Sequence, residues 1–310
     1  MSSDDFNVNR DLGQDAGRTA ETIVLDAASE PVGEDVPVAT VVRRRVRLPL
    51  LLFVATCLST LLSGSFFFGL ADGWKYALAV MTILICHEAG HFFQARRYKV
   101  QSSFPYFIPM PFSPIGTLGA VIAMGSRIRD RRALFDIGVT GPLAGLIPTL
   151  IFCVIGVYIS EPGFISPGGA RFGDPLLIQW LARLNFGGLP EQHDILLNPM
   201  LFAGWVGLLI TALNLIPIGQ LDGGHVLYGL LRTKAHQVAS LLLLGAAAAV
   251  FWYGLWEWTL MLILLMMMGP VHPPTADDHV PLGTGRIVLG WLTLAFIPIG
   301  FTPTPFLGGL

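Results

Sequence analysis

From Tyr76 to Ala95 the chain reads as an apolar helix of membrane-crossing length, yet His87, Glu88 and His91 lie near one end of it. Inside a bilayer every backbone N–H and C=O must find a partner within the segment, so such a run has to be helical. Ionisable side chains at that depth are costly and mark functional sites. Residues four apart share a helix face, so His87 and His91 can hold one metal ion. In the pattern His-Glu-x-x-His the glutamate is placed to act on water held by that ion. Here the flanks are Tyr76–Cys86 and Phe92–Phe93, which points to zinc-dependent hydrolysis within a membrane.

The rest of the chain agrees with an all-α polytopic membrane protein. Of its 310 residues 53% are hydrophobic and 13% charged, against about 25% charged in soluble domains. Spans are expected at Leu48–Leu70, Tyr76–Ala95, Ala133–Ile159 and Pro199–Ile218. A helical hairpin follows over Gln237–Met268, broken near Gly254–Glu257, and a shorter last span over Ile287–Phe301. The reading amounts to about six transmembrane helices. Phe104–Met124 is apolar but holds Pro105, Pro109, Pro111 and Pro114, too many for a straight helix. Arg96, Arg97 and Lys99 precede it, and Arg127, Arg129, Arg131 and Arg132 follow it. Both ends therefore belong on the basic, cytoplasmic side, and the segment is expected to enter and return as a re-entrant, β-hairpin-like element. Thr117–Met124 would be its extended edge.

Charge also sets the orientation. Of 19 lysines and arginines, Lys75, Arg171 and Arg183 fall outside, Arg10 and Arg18 lie near the N-terminus, and the other fourteen lie at inside positions. Residues 1–42 carry nine acids and only those two arginines. They read as a disordered, acidic cytoplasmic tail that resembles neither a secretory signal nor a transit peptide. The expected location is a bacterial cytoplasmic membrane, multi-pass with the N-terminus inside, and 43–310 would be a membrane-embedded zinc protease domain. No feature suggests a nucleic-acid partner. Cys57, Cys86 and Cys153 all lie in apolar runs and read as small buried hydrophobes.

A catalytic zinc takes three protein ligands and keeps one position open. The third is expected at Asp222, followed by Gly223 and Gly224. At 1.5 Å per residue the second span reaches His87 after about 17 Å and His91 after about 23 Å. The fourth span runs in the same direction and ends just before Asp222, so the two motifs reach similar depth. Blander readings stand beside these: a turn-capping Asp222, an interhelical hydrogen bond from Asn214, an incidental His225, a structural Asp136, and a solvated loop for His272, Asp277, Asp278 and His279.

Together, His87-Glu88-Ala89-Gly90-His91 and Asn214-x-x-Pro217-x-x-x-Leu221-Asp222-Gly223-Gly224 resemble the site-2 protease family of intramembrane zinc metalloproteases. The resemblance covers most of residues 47–305 and includes Gly116-Thr117-Leu118-Gly119-Ala120 and the Phe135–Gly145 segment. It implies one Zn2+ per chain bound by His87, His91 and Asp222, with Glu88 as catalytic base. Asn214 would hold the substrate carbonyl or its oxyanion. The expected substrate is a transmembrane segment of another membrane protein within the lipid bilayer. Such a helix must unwind before hydrolysis, and an extended chain can pair with a strand edge. The expected substrate-binding residues are Thr117, Leu118, Gly119, Ala120 and Val121, together with Pro217. Two departures stand out: Ser160–Asn198 is too short for a PDZ domain, and Gly145 stands where some relatives carry asparagine. Two alternatives remain, a membrane-anchored protease of soluble or misfolded proteins and a non-catalytic zinc-binding membrane protein.

Overall fold

The computed structural model describes residues 46–125, 128–164, 171–188 and 193–306. The acidic tail expected over 1–42 lies outside the described residues. The first helix, α1 (Arg47–Arg97), bends at Gly69, whose φ of 73° and ψ of 170° suit glycine and almost no other residue. The chain folds back there. A Cβ on Gly64 would lie 2.9 Å from the Tyr76 ring, and one on Gly73 would meet the Ser65 main chain at 2.6 Å. The two arms are the first two expected spans. On the first arm Leu51, Leu58, Leu62 and Phe66 are exposed, while Thr56, Ser59, Thr60 and Ser63 are buried.

That buried hydroxyl stripe explains how a proline-rich segment can sit against an apolar bundle. Strand β1 (Tyr106–Met110) pairs antiparallel with β2 (Gly116–Val121), and the register slips between Phe107 and Pro109. Proline brings no N–H to a ladder, which fits a slip at that point. The connecting turn leaves carbonyls unpaired, and α1 supplies their donors: Ser59 Oγ to Gly116 O at 2.6 Å, Tyr76 Oη to Ile115 O at 2.6 Å, and Ser63 Oγ to Pro114 O. Irregular backbone is tolerated in an apolar setting when protein satisfies it in this way. The extended edge is shorter than expected as a strand, ending at Val121. Beyond it the chain stays extended to an isolated bridge between Met124 and Ser102.

Helix α2 (Arg131–Tyr158) is capped by Asp130, which accepts from Ala133 N–H at 2.9 Å. Asp136 therefore has no capping task. It accepts from Tyr98 Oη at 2.5 Å and from Arg286 Nε and Nη2 at 2.7 and 2.8 Å. The stretch from Ser160 to Asn198 contains β3 (Pro162–Phe164), α3 (Leu176–Phe186) and β4 (His193–Ile195), with β3 and β4 paired antiparallel. Helix α3 buries Ile178 and Ala182.

Helix α4 (Pro199–Asn214) starts with Pro199 after an Asn198 cap, and none of its residues is exposed. Its Phe202 stacks on Tyr76 at 4.9 Å and on Trp205 at 5.9 Å in the main apolar core. Then come α5 (Asp222–Leu231), α6 (Lys234–Tyr253), a 3-10 turn at Trp256–Trp258, α7 (Thr259–Met268), α8 (Thr284–Ala295) and α9 (Ile297–Gly300). The break after α6 falls at Gly254, within the expected stretch. Among the described residues three helices, α1, α2 and α6, are long and apolar enough to cross a membrane. Pro199–Asn214, Trp256–Met268 and Thr284–Gly300 are shorter apolar helices.

Candidate metal centre

Helix α1 sets His87 and His91 one turn apart on a buried face, 3% and 7% exposed. The non-helical stretch after α4 delivers Asp222 as the first residue of α5. One Nε2 from each histidine and the carboxylate then converge. His87 Nε2 lies 3.1 Å from Asp222 Oδ2, His91 Nε2 lies 3.2 Å from Oδ1, and the two Nε2 atoms lie 3.2 Å apart. Ligand atoms from these three residues all fall within 4.8 Å of one another.

A row of glycines on α2 makes room for the imidazoles. A Cβ on Gly145 would lie 3.0 Å from His87 Cβ, and one on Gly138 would lie 2.7 Å from His225 Cβ. One on Gly141 would fall against the His91 ring itself. These small residues thus line the metal group. Close behind, His91 Nδ1 donates to the Ile137 carbonyl at 2.9 Å, which fixes the tautomer and leaves Nε2 free for an ion.

Two neutral imidazoles and a carboxylate form the donor set of a catalytic zinc site. Glu88 fits that assignment as well. It is 3% exposed, and among the described residues its Oε2 has no hydrogen-bond partner. A buried carboxylate oxygen left unpaired is expensive, so it belongs where a reacting group will meet it. Asn214, at the end of α4, places Nδ2 3.4 Å from His87 Nε2.

All of these residues line one cavity of about 130 Å³ with Ala120, Val121, Ile122 and Met124 from the far wall. The strand after the hairpin turn therefore faces the metal group. Of the other expected substrate contacts, Thr117 is buried with its hydroxyl donating to Ile108 O at 3.0 Å, Leu118 is exposed, and Gly119 and Pro217 do not line this cavity.

Sequence reasoning treated His225 as incidental and placed His272 in a solvated loop. Both are buried, and their rings join through Nδ1 and Nε2 at 2.7 Å, one helical turn from Asp222. The signal in the sequence was spacing: His225 follows Asp222 by three residues and so shares its helix face. Burial, outweighing the hydrogen bond to the Pro273 carbonyl, holds His272 below the usual imidazole range.

Replacing Asp222 by asparagine keeps the volume and removes the charge that faces both imidazoles. Asp222→Asn is expected to weaken zinc binding by about ten-fold or more, read as metal content after dialysis against a zinc buffer. Unchanged zinc content would remove Asp222 from the site.

The model of peptidase family M50 matches residues 75–251, more than half of the chain. Over 249 residues the chain is 30% identical to a protein of Oryza sativa subsp. indica named probable zinc metalloprotease EGY2, chloroplastic. That alignment covers 76% of this chain and 45% of the rice protein. The Arabidopsis thaliana protein of the same name is 32% identical over 248 residues, 76% of this chain and 43% of its own length. Arabidopsis thaliana EGY1, also named a probable zinc metalloprotease, is 30% identical over 241 residues, 73% of this chain and 42% of its own. The chain thus spans under half the length of these curated relatives. No solved structure matches it.

Proposed function

We propose, since the chain belongs to peptidase family M50, that it hydrolyses peptide bonds in the transmembrane segments of other membrane proteins. It is a zinc metalloprotease by family and by the names of its relatives, and His87, His91 and Asp222 are the residues that would hold the ion. A zinc ion held there would lower the pKa of water and polarise a carbonyl. Glu88 takes the proton from the attacking water and returns it to the leaving amine. Asn214 Nδ2 donates to the carbonyl oxygen as negative charge builds on it. The substrate, unwound from its helix, pairs along the strand wall at Ala120–Ile122.

The observation that carries this reading is the wall opposite the metal group. A groove with a strand edge on one side suits an extended chain, and its setting among apolar helices suits a chain drawn from the membrane. The charge distribution favours an N-terminus on the cytoplasmic side of the membrane, with the site toward that side; the relatives carry chloroplastic names.

Purified protein offered a single-span membrane protein and a soluble casein-like protein separates the readings. Cleavage of the first within its span, with the second left intact, is the expected result. Cleavage of the soluble protein alone would replace this proposal by a membrane-anchored protease of soluble chains. Zinc binding without cleavage of either would favour a non-catalytic protein, a reading opposed by the unpaired Glu88 carboxylate.

A further inference from the structure

A second cavity, of about 370 Å³, adjoins the metal group and has no part in the chemistry above. It shares Ile122, Met124, Gln220 and His225 with the cavity that holds His87, Glu88, His91 and Asp222. One side is the chain leaving the hairpin, Ile122–Gly125, and the other is His272–Thr275.

The first side is a strand with one edge in use. Ser103 N–H donates to Ala123 O at 2.9 Å, and Gly125 N–H donates to Gln101 O at 2.8 Å. Backbone groups alternate between the two edges of a strand, so those of Ile122 and Met124 point the other way. Among the described residues neither makes a backbone hydrogen bond. Unpaired edges of this kind are templates for a further strand.

The second side is a wall rather than a loose tether. His272 is 6% exposed, bonded to His225, and stacked on Tyr228 at 4.6 Å. His236 Nε2 donates to the His272 carbonyl at 3.2 Å. Further along, Thr275 Oγ1 and Tyr228 Oη both donate to the Asp278 carboxylate at 2.6 Å, and Ala276 N–H donates to Ile128 O at 2.9 Å. The lining is apolar at Ile122, Met124, Ile128 and Leu134 and polar at Gln220, His225, His272 and Thr275.

We infer that Pro273–Thr275 is the second wall of the substrate channel: the extended chain pairs along Ile122–Met124, and one bulky apolar side chain beside the cleaved bond fills the cavity between the walls. The inference rests on the proposed cleavage of transmembrane segments and adds a specificity-determining site to it. His225 and His272 act as positioning residues, holding the wall to the helix that begins with Asp222.

The test uses the full chain with zinc and a panel of single-span substrates, each differing at one residue of the span, alanine or phenylalanine. Wild type is expected to prefer phenylalanine at one position at a fixed distance from the cleaved bond. Pro274 is exposed and lines the cavity, so Pro274→Trp fills it with little risk to folding. That variant should lower the preference for phenylalanine over alanine at that position by about ten-fold, with zinc content as in wild type. Met124→Ala, which enlarges the cavity, should shift the preference toward tryptophan at the same position. Wild-type preferences in both variants would overturn the second wall and leave the proposed function standing. Failure of wild type to cleave any spanning substrate would overturn both.

Discussion

Glu88→Gln is expected to lower cleavage of a transmembrane substrate by about 100- to 10,000-fold, the contribution of a positioned general base. The amide keeps the shape of the side chain at a position 3% exposed on α1, so the fold has no reason to change. It cannot take a proton from water at neutral pH. The neighbouring histidines and Asp222 remain in place, and zinc content should match wild type. Single-turnover cleavage with substrate in the same detergent, alongside metal analysis, gives both readings. Wild-type cleavage by a metallated Glu88→Gln protein would end the assignment of Glu88 as base. Loss of zinc together with loss of cleavage would instead make Glu88 part of the metal group.

A larger structural effect is expected from one methyl group. In Gly141→Ala the new Cβ would overlap the His91 ring, and α2 lies too close to α1 for the ring to step aside. Gly145 and Gly138 press on His87 and His225 from the same face of α2, so the helix cannot shift without disturbing all three. Zinc affinity should fall by at least the roughly 10- to 100-fold that follows loss of an outer contact to a metal ligand, and cleavage should fall with it. Gly245→Ala is the matched control, because a Cβ there meets nothing within 4 Å. Alanine in that open helical position should leave zinc binding unchanged and raise stability slightly, by about 0.5–1 kcal/mol at most. Equal behaviour of the two variants in equilibrium dialysis would mean that α2 does not shape the site.

The helices and the convergence of His87, His91 and Asp222 were legible because they rest on features a sequence displays directly. Apolar runs show their length, and a His-Glu-x-x-His pattern shows its face. The meeting of Asp222 with the histidine pair was legible because each motif lies near the end of an apolar run. The hairpin was legible from prolines, which veto a helix. Other features depend on contacts between distant segments. Nothing local to His272 says that it meets His225, and nothing local to Ser59, Ser63 or Tyr76 says that they answer the carbonyls of Pro114–Gly116. Helix α3 was missed because its neighbours are rich in glycine and proline, and its burial comes from other segments. Asp136 could have capped α2 by position alone; Asp130 does so, and Asp136 binds Arg286, 150 residues away.

Helix α4 ends where the chemistry begins, and it is short. Sixteen residues make a rod of about 24 Å, less than the ~30 Å of a hydrocarbon core. A rod of that length facing lipid would tilt or thin the bilayer around it. None of its residues is exposed, so α4 lies largely within protein, while the outward faces of α1 and α6 carry residues such as Leu58, Leu62, Leu241 and Trp252. In a bilayer, lipid thickness would act on the outer helices, and the position of Asn214 and the turn into Asp222, set by an internal strut, are expected to keep one geometry in bilayers of different thickness.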